Sequence, residues 1–78
     1  MSLPPAGPSK HSLTVNNRAT TVSLEPLFWE AVRTIAFAQR MSPSAWVSQI
    51  DRRRGDDLNL SSAIRIAVLS YYQSGRAA

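Results

Sequence analysis

The fold is decided by the stretch Arg18-Ala19-Thr20-Thr21-Val22-Ser23-Leu24, whose side chains alternate as those of a half-buried β-strand do. Alternation gathers the apolar side chains on one face, which carries Thr20, Val22 and Leu24. The opposite face is small and polar and carries Ala19, Thr21 and Ser23. A lone strand of this length is not stable in water, so the pattern predicts helices beneath the apolar face and another strand at the edge.

The residues before this strand predict a second, shorter strand. Ser12–Val15 alternates in the same way, and Asn16-Asn17 is a pair that tolerates the positive φ angles of a tight turn. Residues 1–11 include Pro4, Pro5 and Pro8, and this composition favours a flexible arm over a strand or a helix.

Two helices are predicted next. Pro26 favours a helix start, because proline suits the first helical position, and this helix is expected to run to about Gln39. Ser42 and Pro43 repeat the signal, with the serine as N-cap, for a second helix that ends near Arg54.

A third helix is predicted from Ser61, its expected cap, to about Gln73. Its apolar residues surround it, since Ile64 and Val68 lie on one side and Ile66 lies nearly opposite. One chain of 78 residues is not expected to cover such a helix alone. The sequence therefore predicts one domain, residues 12–74, followed by a tail, residues 75–78, in a dimer whose second chain completes the core.

Composition excludes several other classes of protein. The chain has no cysteine, a single histidine and three glycines, so it contains no disulfide framework, no evident metal site and no glycine-rich phosphate loop. We find no catalytic constellation and expect neither an enzyme nor a cofactor. Because the sequence also lacks an apolar run long enough for a membrane span or a secretory signal, we expect a cytoplasmic protein. The net charge of +4 and the pI of about 10.8 favour a polyanionic partner.

Three passages of the sequence resemble a known family. They are Arg18–Pro26, the following Phe28–Val32, and Asn59–Arg65 with Tyr72 near the chain end. Together they resemble the bacterial ribbon-helix-helix proteins, which include the Arc and Met repressors, and more narrowly a short subgroup with a spacer before the last helix. The resemblance implies a mainly α fold with one short β-ribbon, in an intertwined homodimer with an additional helix. It also implies that the strand pairs antiparallel with its copy and enters the major groove of double-stranded DNA, as in a transcriptional repressor.

The resemblance further implies which side chains contact DNA. The base-facing positions are Ala19, Thr21 and Ser23, and the hydroxyl groups of threonine and serine can meet several base edges. Arg18 is one residue out of register with them, so we expect it to bind phosphate unless the strand bends.

The other implied phosphate contacts are Arg40, Ser42 and Ser44, at the start of the second helix, where free N–H groups favour an anion. The start of the third helix, at Ser61 and Ser62, is the rival position. The family's tight turn usually has glycine where this chain has Met41, which disfavours positive φ, so we expect the turn between the first two helices to be built differently. The residues expected in the dimer core are Val22, Leu24, Phe28, Val32, Ile35, Trp46, Ile50, Ile64 and Val68.

Two alternatives accompany this interpretation. The charged run of residues 52–54 is explained better as a solvated helix end than as a DNA contact. The chain as a whole could instead be an interaction module, such as an antitoxin or adaptor, that binds a protein through its tail or through Phe37, which falls on the polar side of the first helix.

Overall fold

The computed structural model describes residues 7–55 and 58–75. Five elements follow in chain order: β1 (Ser9–Val15), β2 (Arg18–Leu24), α1 (Pro26–Ala38), α2 (Pro43–Arg53) and α3 (Leu60–Gln73). A two-stranded antiparallel sheet followed by three helices confirms the expected mainly α fold with one short β-ribbon and an additional helix. The expectations for residues 1–6, for the loop at 56–57 and for the end of the tail at 76–78 lie outside the described residues.

The two strands form a hairpin that is longer than the sequence predicts. Asn16 and Asn17 both have positive φ, 50° and 68°, as a type I′ turn requires. β1 begins at Ser9, which pairs with Leu24, so part of the expected arm belongs to the sheet. The ring of His11 stacks on Trp29 of α1 at a centroid distance of 4.2 Å, and this contact anchors the extension.

Along one edge, β2 pairs with β1 of the same chain. The pairing with a second copy that the resemblance implies would use the other edge of β2. The two-residue turn brings β1 back along one edge of β2 over its whole length. At the other edge, the N–H of Ser23 donates to the hydroxyl of Ser61 at 3.0 Å, and its carbonyl accepts from Arg65 at 3.1 Å. This second edge is therefore partly covered by α3.

The turn between α1 and α2 is built differently from the family's glycine turn, as expected from Met41. The left-handed residue is Arg40, with φ of 58°. The N–H of Met41 donates to the carbonyl of Ala36 at 2.8 Å, and that of Arg40 donates to Phe37 at 3.0 Å. These two bonds define a Schellman motif, so the position that favours glycine is occupied by an arginine.

The prediction that Ser61 caps α3 is wrong. Asn59 caps this helix, since its side-chain oxygen accepts from the N–H of Ser62 at 2.8 Å. Ser61 lies two residues further along the chain, and its hydroxyl accepts a hydrogen bond from the N–H of Ser23 in β2 instead. The caps of α1 and α2 agree with the prediction, because both helices begin at a proline and Ser42 accepts from the N–H of Ala45 at 3.0 Å.

The core lies between the hairpin and the three helices of one chain. Seven of the nine residues expected in a dimer core are buried in it, namely Val22, Leu24, Val32, Ile35, Trp46, Ile64 and Val68. Phe28 and Ile50 are partly buried against the same cluster. One chain thus covers one side of α3, whereas Ile66 and Leu69 on its outer side stay 54% and 56% exposed.

Candidate nucleic-acid interface

The hairpin turns one face toward the helices and the other toward solvent. In β2 the side chains of Val22 and Leu24 are buried, whereas Ala19 and Thr21 are exposed and Ser23 is half-buried beside α3. The division of β2 into an apolar and a small polar face is confirmed. The side chains proposed to read bases thus share one surface, which we call the ribbon face.

The ribbon face is free of negative charge. All five acidic residues of the chain lie outside residues 9–24, whereas Lys10 and Arg18 lie within them. A hydroxyl-bearing face with basic residues near both ends is compatible with a polyanion, because no carboxylate on the hairpin itself opposes the approach of phosphates.

Arg18 lies on the helix side of the sheet rather than on the ribbon face. It has the parity of Thr20 and Val22, and it lines a cleft with Asp51 and Arg54 of the α2 end. The strand does not bend to bring Arg18 among Ala19, Thr21 and Ser23. Its position beside the hairpin turn suits a phosphate at the end of the ribbon better than a base within the groove.

The hairpin turn is held on α2 by Asn16. Its N–H donates to the hydroxyl of Ser48 at 3.1 Å, and its side-chain amide donates to Asp51 at 2.8 Å. Its side-chain oxygen accepts from Arg52 at 2.8 Å. We call these residues the turn clamp. They attach the tip of the ribbon to the basic end of α2, and sequence reasoning missed this connection because its partners are 32 to 36 residues apart.

The turn clamp also changes the interpretation of the charged run at residues 52–54, for which the sequence alone favours a solvated helix end. Arg52 is held beside the hairpin turn, and Arg54 pairs with Asp51 at 2.8 Å. The hydrogen bond from Arg54, followed by that from Asn16, lowers the pKa of Asp51 below its ordinary value. The charged carboxylate of Asp51 thus holds Arg54, whereas Asn16 holds Arg52, so Arg52 is a basic residue at the turn end of the ribbon.

The remaining expected phosphate contacts lie elsewhere. Arg40, Ser42 and Ser44 are grouped at the N-terminal end of α2, and the turn clamp is at its C-terminal end. An eleven-residue helix is about 16 Å long, so this group and Arg18 belong to two separate positions. The rival start of α3 is engaged with β2 through Ser61, which leaves the start of α2 as the freer helix N-terminus.

A second clasp holds the other end of β2. Arg65 of α3 donates to Glu25 at 2.9 Å and to the carbonyl of Ser23 at 3.1 Å, and its guanidinium lies over the ring of Phe28. The hydrogen bond from Arg65 lowers the pKa of Glu25 below its ordinary value. One side chain thus joins the strand end, the start of α1 and α3.

Within residues 7–55 and 58–75, no three acidic or histidine side chains are grouped as a metal site would need. Among the same residues, no helix combines the length and the apolar character required to cross a membrane.

Comparison with known proteins identifies the family. The sequence model of the ribbon-helix-helix domain matches residues 8–72, which include both strands and all but the last residue of α3. The chain therefore belongs to the ribbon-helix-helix family, as the resemblance indicated. This family includes DNA-binding transcription regulators and antitoxins, and its domains are typically not enzymes. No curated protein and no solved structure gives a significant match to the chain.

Proposed function

We propose that this protein is a sequence-specific DNA-binding transcriptional regulator of the repressor type, which acts as a homodimer on a two-fold symmetric operator. The observation that carries the proposal is the ribbon face of β2, where exposed Thr21 and Ala19 accompany Ser23 on a hairpin that contains no carboxylate. An adaptor that binds only proteins has no need for such a face.

The proposed readout takes place in the major groove. Thr21 and Ser23 carry hydroxyl groups that donate and accept hydrogen bonds, and the methyl groups of Ala19 and Thr21 suit contact with thymine. Each of these contacts is weaker than a bidentate arginine contact to guanine. The protein should therefore discriminate among sequences modestly at each base and obtain much of its affinity from phosphates.

The phosphate contacts in this proposal come from two positions. Arg18 serves at the turn end of the ribbon, where Arg52 bonds to Asn16 of the turn. Arg40, Ser42 and Ser44 serve at the start of α2, where the helix dipole and free N–H groups favour an anion. Two positions on one domain would fix its orientation on the duplex.

The proposed dimer uses apolar surface that the single chain leaves open. Leu27 of α1 and Tyr72 of α3 line the same shallow depression, and Ile66 and Leu69 are exposed on α3. Exposed apolar residues grouped in this way are typical of an interface. The ribbon between two copies that the resemblance implies would use the open edge of β2, where Ala19 and Thr21 direct their backbone groups away from β1.

The central experiment is a gel-shift titration against fragments of the protein's own upstream region at several salt concentrations. We expect the wild type to favour one fragment and the double variant Thr21→Ala, Ser23→Ala to lose that preference while it keeps salt-dependent binding. Ser74→Ala, which removes an exposed hydroxyl at the end of α3, is the matched control. Equal binding of every fragment by wild type and double variant would refute the specific reader.

The oligomeric state is tested separately by sedimentation at micromolar concentration. We expect a dimer for the wild type and a monomer for Leu69→Glu, because a charge on the open side of α3 opposes burial. Phe37→Ser removes exposed apolar surface elsewhere and should leave the dimer intact. A stable wild-type monomer would contradict the proposed assembly.

A second candidate function rests on Phe37, which is 83% exposed. It borders a shallow pocket with Arg33 and Met41 on the side of α1 that carries the α1–α2 turn. An exposed aromatic side chain beside a basic residue is suited to binding another protein. Binding of a protein partner is the activity expected of an antitoxin or an adaptor. Loss of partner capture in Phe37→Ser, with DNA binding unchanged, would support this function, and retained capture would contradict it.

A further inference from the structure

A groove between α2 and α3 has the size of a small-molecule site, and we call it the α2–α3 groove. Its volume of about 570 Å³ lies within the range of about 300–1,000 Å³ that is typical of ligand pockets. Trp46 and Ile50 of α2 and Ala67 and Tyr71 of α3 give it apolar walls. The remaining lining residues are polar, namely Gln39, Gln49, Arg53, Ser70 and Ser74. Apolar walls with a few polar groups are the usual composition of a ligand site.

The spacing of the lining residues explains why the groove forms. On α2 they stand at positions 46, 49, 50 and 53, and on α3 and its C-cap at positions 67, 70, 71 and 74. Both sets have the spacing i, i+3, i+4 and i+7, which is that of one helix face. Ala67 and Ser70 are small, so α3 leaves space open where longer side chains would fill it.

Arg53 gives the groove a positive charge. It is the one charged side chain among the described residues that line the groove, and it is exposed. Its neighbour Arg52 belongs to the turn clamp, and Arg54 pairs with Asp51. In the described part of the chain, Arg53 has no such partner. Because a guanidinium presents its donors in a planar fork that fits a carboxylate, the groove favours an anionic ligand.

The walls of the groove favour a flat, apolar body for that ligand. Trp46 is buried and Tyr71 is half-buried, and the rings of aromatic side chains gain from contact with another ring. The side-chain amides of Gln39 and Gln49 add donors and acceptors, since neither bonds to another described residue. An aromatic ring that carries a carboxylate therefore suits both the walls and Arg53.

The α2–α3 groove is separate from the surfaces assigned to DNA and to the dimer. Its described lining includes no residue of the hairpin and none at the start of α2. On α3 its residues lie on the opposite side from Leu69 and Tyr72, which belong to the proposed dimer surface. A ligand in the groove thus leaves both surfaces free. It also contacts the helix that holds the hairpin turn, because Arg53 follows Arg52 of the turn clamp.

We propose that the α2–α3 groove binds a small aromatic carboxylate, in which Arg53 pairs with the carboxylate while Trp46 and Tyr71 contact the ring. We further assign this ligand the role of an effector that changes the affinity of the regulator for DNA. The effector role rests on the proposed function, whereas the binding site itself does not.

The test is an NMR titration of the isotope-labelled full chain with indole-3-acetate. Indole-3-acetamide is the matched probe, because it has the same ring and lacks the charge. We expect indole-3-acetate to shift the indole N–H signal of Trp46 and the backbone signals of Ala67 and Ser70, with a Kd of about 1 mM or lower. The amide should bind about tenfold more weakly, because it cannot form an ion pair with Arg53.

Three variants locate the site. Arg53→Gln should lower the affinity for indole-3-acetate about tenfold and leave that for the amide unchanged, since only the charge is lost. Ser70→Leu should weaken both probes about tenfold or more, because the larger side chain fills the groove. Arg33→Gln, which removes an exposed arginine from α1, is the matched control and should bind both probes as the wild type does. Circular dichroism checks the fold of each variant, and if Ser70→Leu is unfolded, the comparison of the two probes on Arg53→Gln decides.

Two results would overturn the binding site. One is the absence of any shift of the Trp46 signal with indole-3-acetate at about 10 mM, well above the expected Kd. The other is an Arg53→Gln variant that binds the two probes with wild-type affinities.

Gel shifts with and without saturating indole-3-acetate test the effector role. We expect the affinity of the wild type for DNA to change about fivefold or more, and that of Arg53→Gln to stay constant. Equal affinities of the wild type with and without the probe would overturn the effector role. If the wild type favours no DNA fragment while the probe still binds in the groove, the proposed function and the effector role fail and the binding site stands.

Discussion

Replacement of Asn16 by alanine tests whether the turn clamp stabilises the hairpin on α2. The substitution removes two hydrogen bonds with charged partners, Arg52 and Asp51, both at 2.8 Å. Because this network is exposed, we take each bond at the low end of the usual range, about 0.5 kcal/mol, or about 1 kcal/mol together. Alanine also tolerates the φ of 50° less well than asparagine, which adds about 1 kcal/mol.

Asn17→Ala is the matched control. Asn17 has a φ of 68° in the same turn but forms none of the hydrogen bonds of the clamp, so its loss should cost only the backbone contribution of about 1 kcal/mol. The expected difference between the two variants, about 1 kcal/mol, is therefore the contribution of the side chain of Asn16.

Urea denaturation, followed by the fluorescence of Trp29 and Trp46 at one fixed protein concentration, measures this difference. With a slope of about 1 kcal/mol per molar urea, the midpoint should fall by about 2 M for Asn16→Ala and about 1 M for Asn17→Ala. A fall for Asn16→Ala no larger than that for Asn17→Ala would show that the clamp does not stabilise the fold.

Three further predictions follow from the strained turn, the second clasp and the two carboxylates. Arg40→Gly should raise the free energy of unfolding by about 0.5–1 kcal/mol, since glycine accepts the φ of 58° without strain. The same variant should weaken DNA binding, because a proposed phosphate contact is lost. A lower melting temperature for this variant would contradict the claim that Arg40 is strained. Arg65→Gln should cost about 1 kcal/mol through the lost bond to the Ser23 carbonyl, whereas equal thermal stability would contradict the clasp. Because the pKa values of Glu25 and Asp51 are lowered, their stabilising contribution is present above the ordinary carboxyl pKa of about 4 and lost as the pH falls through the folded-state values. Urea midpoints should therefore fall below about pH 4, and less in Asp51→Asn; an equal fall would exclude Asp51 as a cause.

Local signals in the sequence predicted the elements well. Pro26 and Ser42 begin their helices as expected, and α1 and α2 end within one residue of the predicted positions. The alternation of β2 gave the correct faces, because the two sides of a strand follow from the chain itself. These features depend on neighbours only a few residues apart.

One local prediction was wrong where a competing residue was available. Asn59 rather than Ser61 caps α3, so the start of this helix lies one residue earlier than expected. Periodicity does not define a helix boundary closely.

The sequence by itself determined the strand faces, the three helices, the basic charge and the family, since each of these depends only on residue types and on short spacings between them. Only the tertiary structure decided that β2 pairs with β1, that Arg52 joins the hairpin turn, and that Lys10, Ser12 and Thr14 are exposed opposite the ribbon face of β2. The physical reason is that the bonds that attach the hairpin turn and the end of β2 to α2 and α3 join residues more than 30 positions apart, as between Asn16 and Ser48. The free energy of such contacts depends on how all the elements pack around the core, and no short stretch of sequence determines that packing.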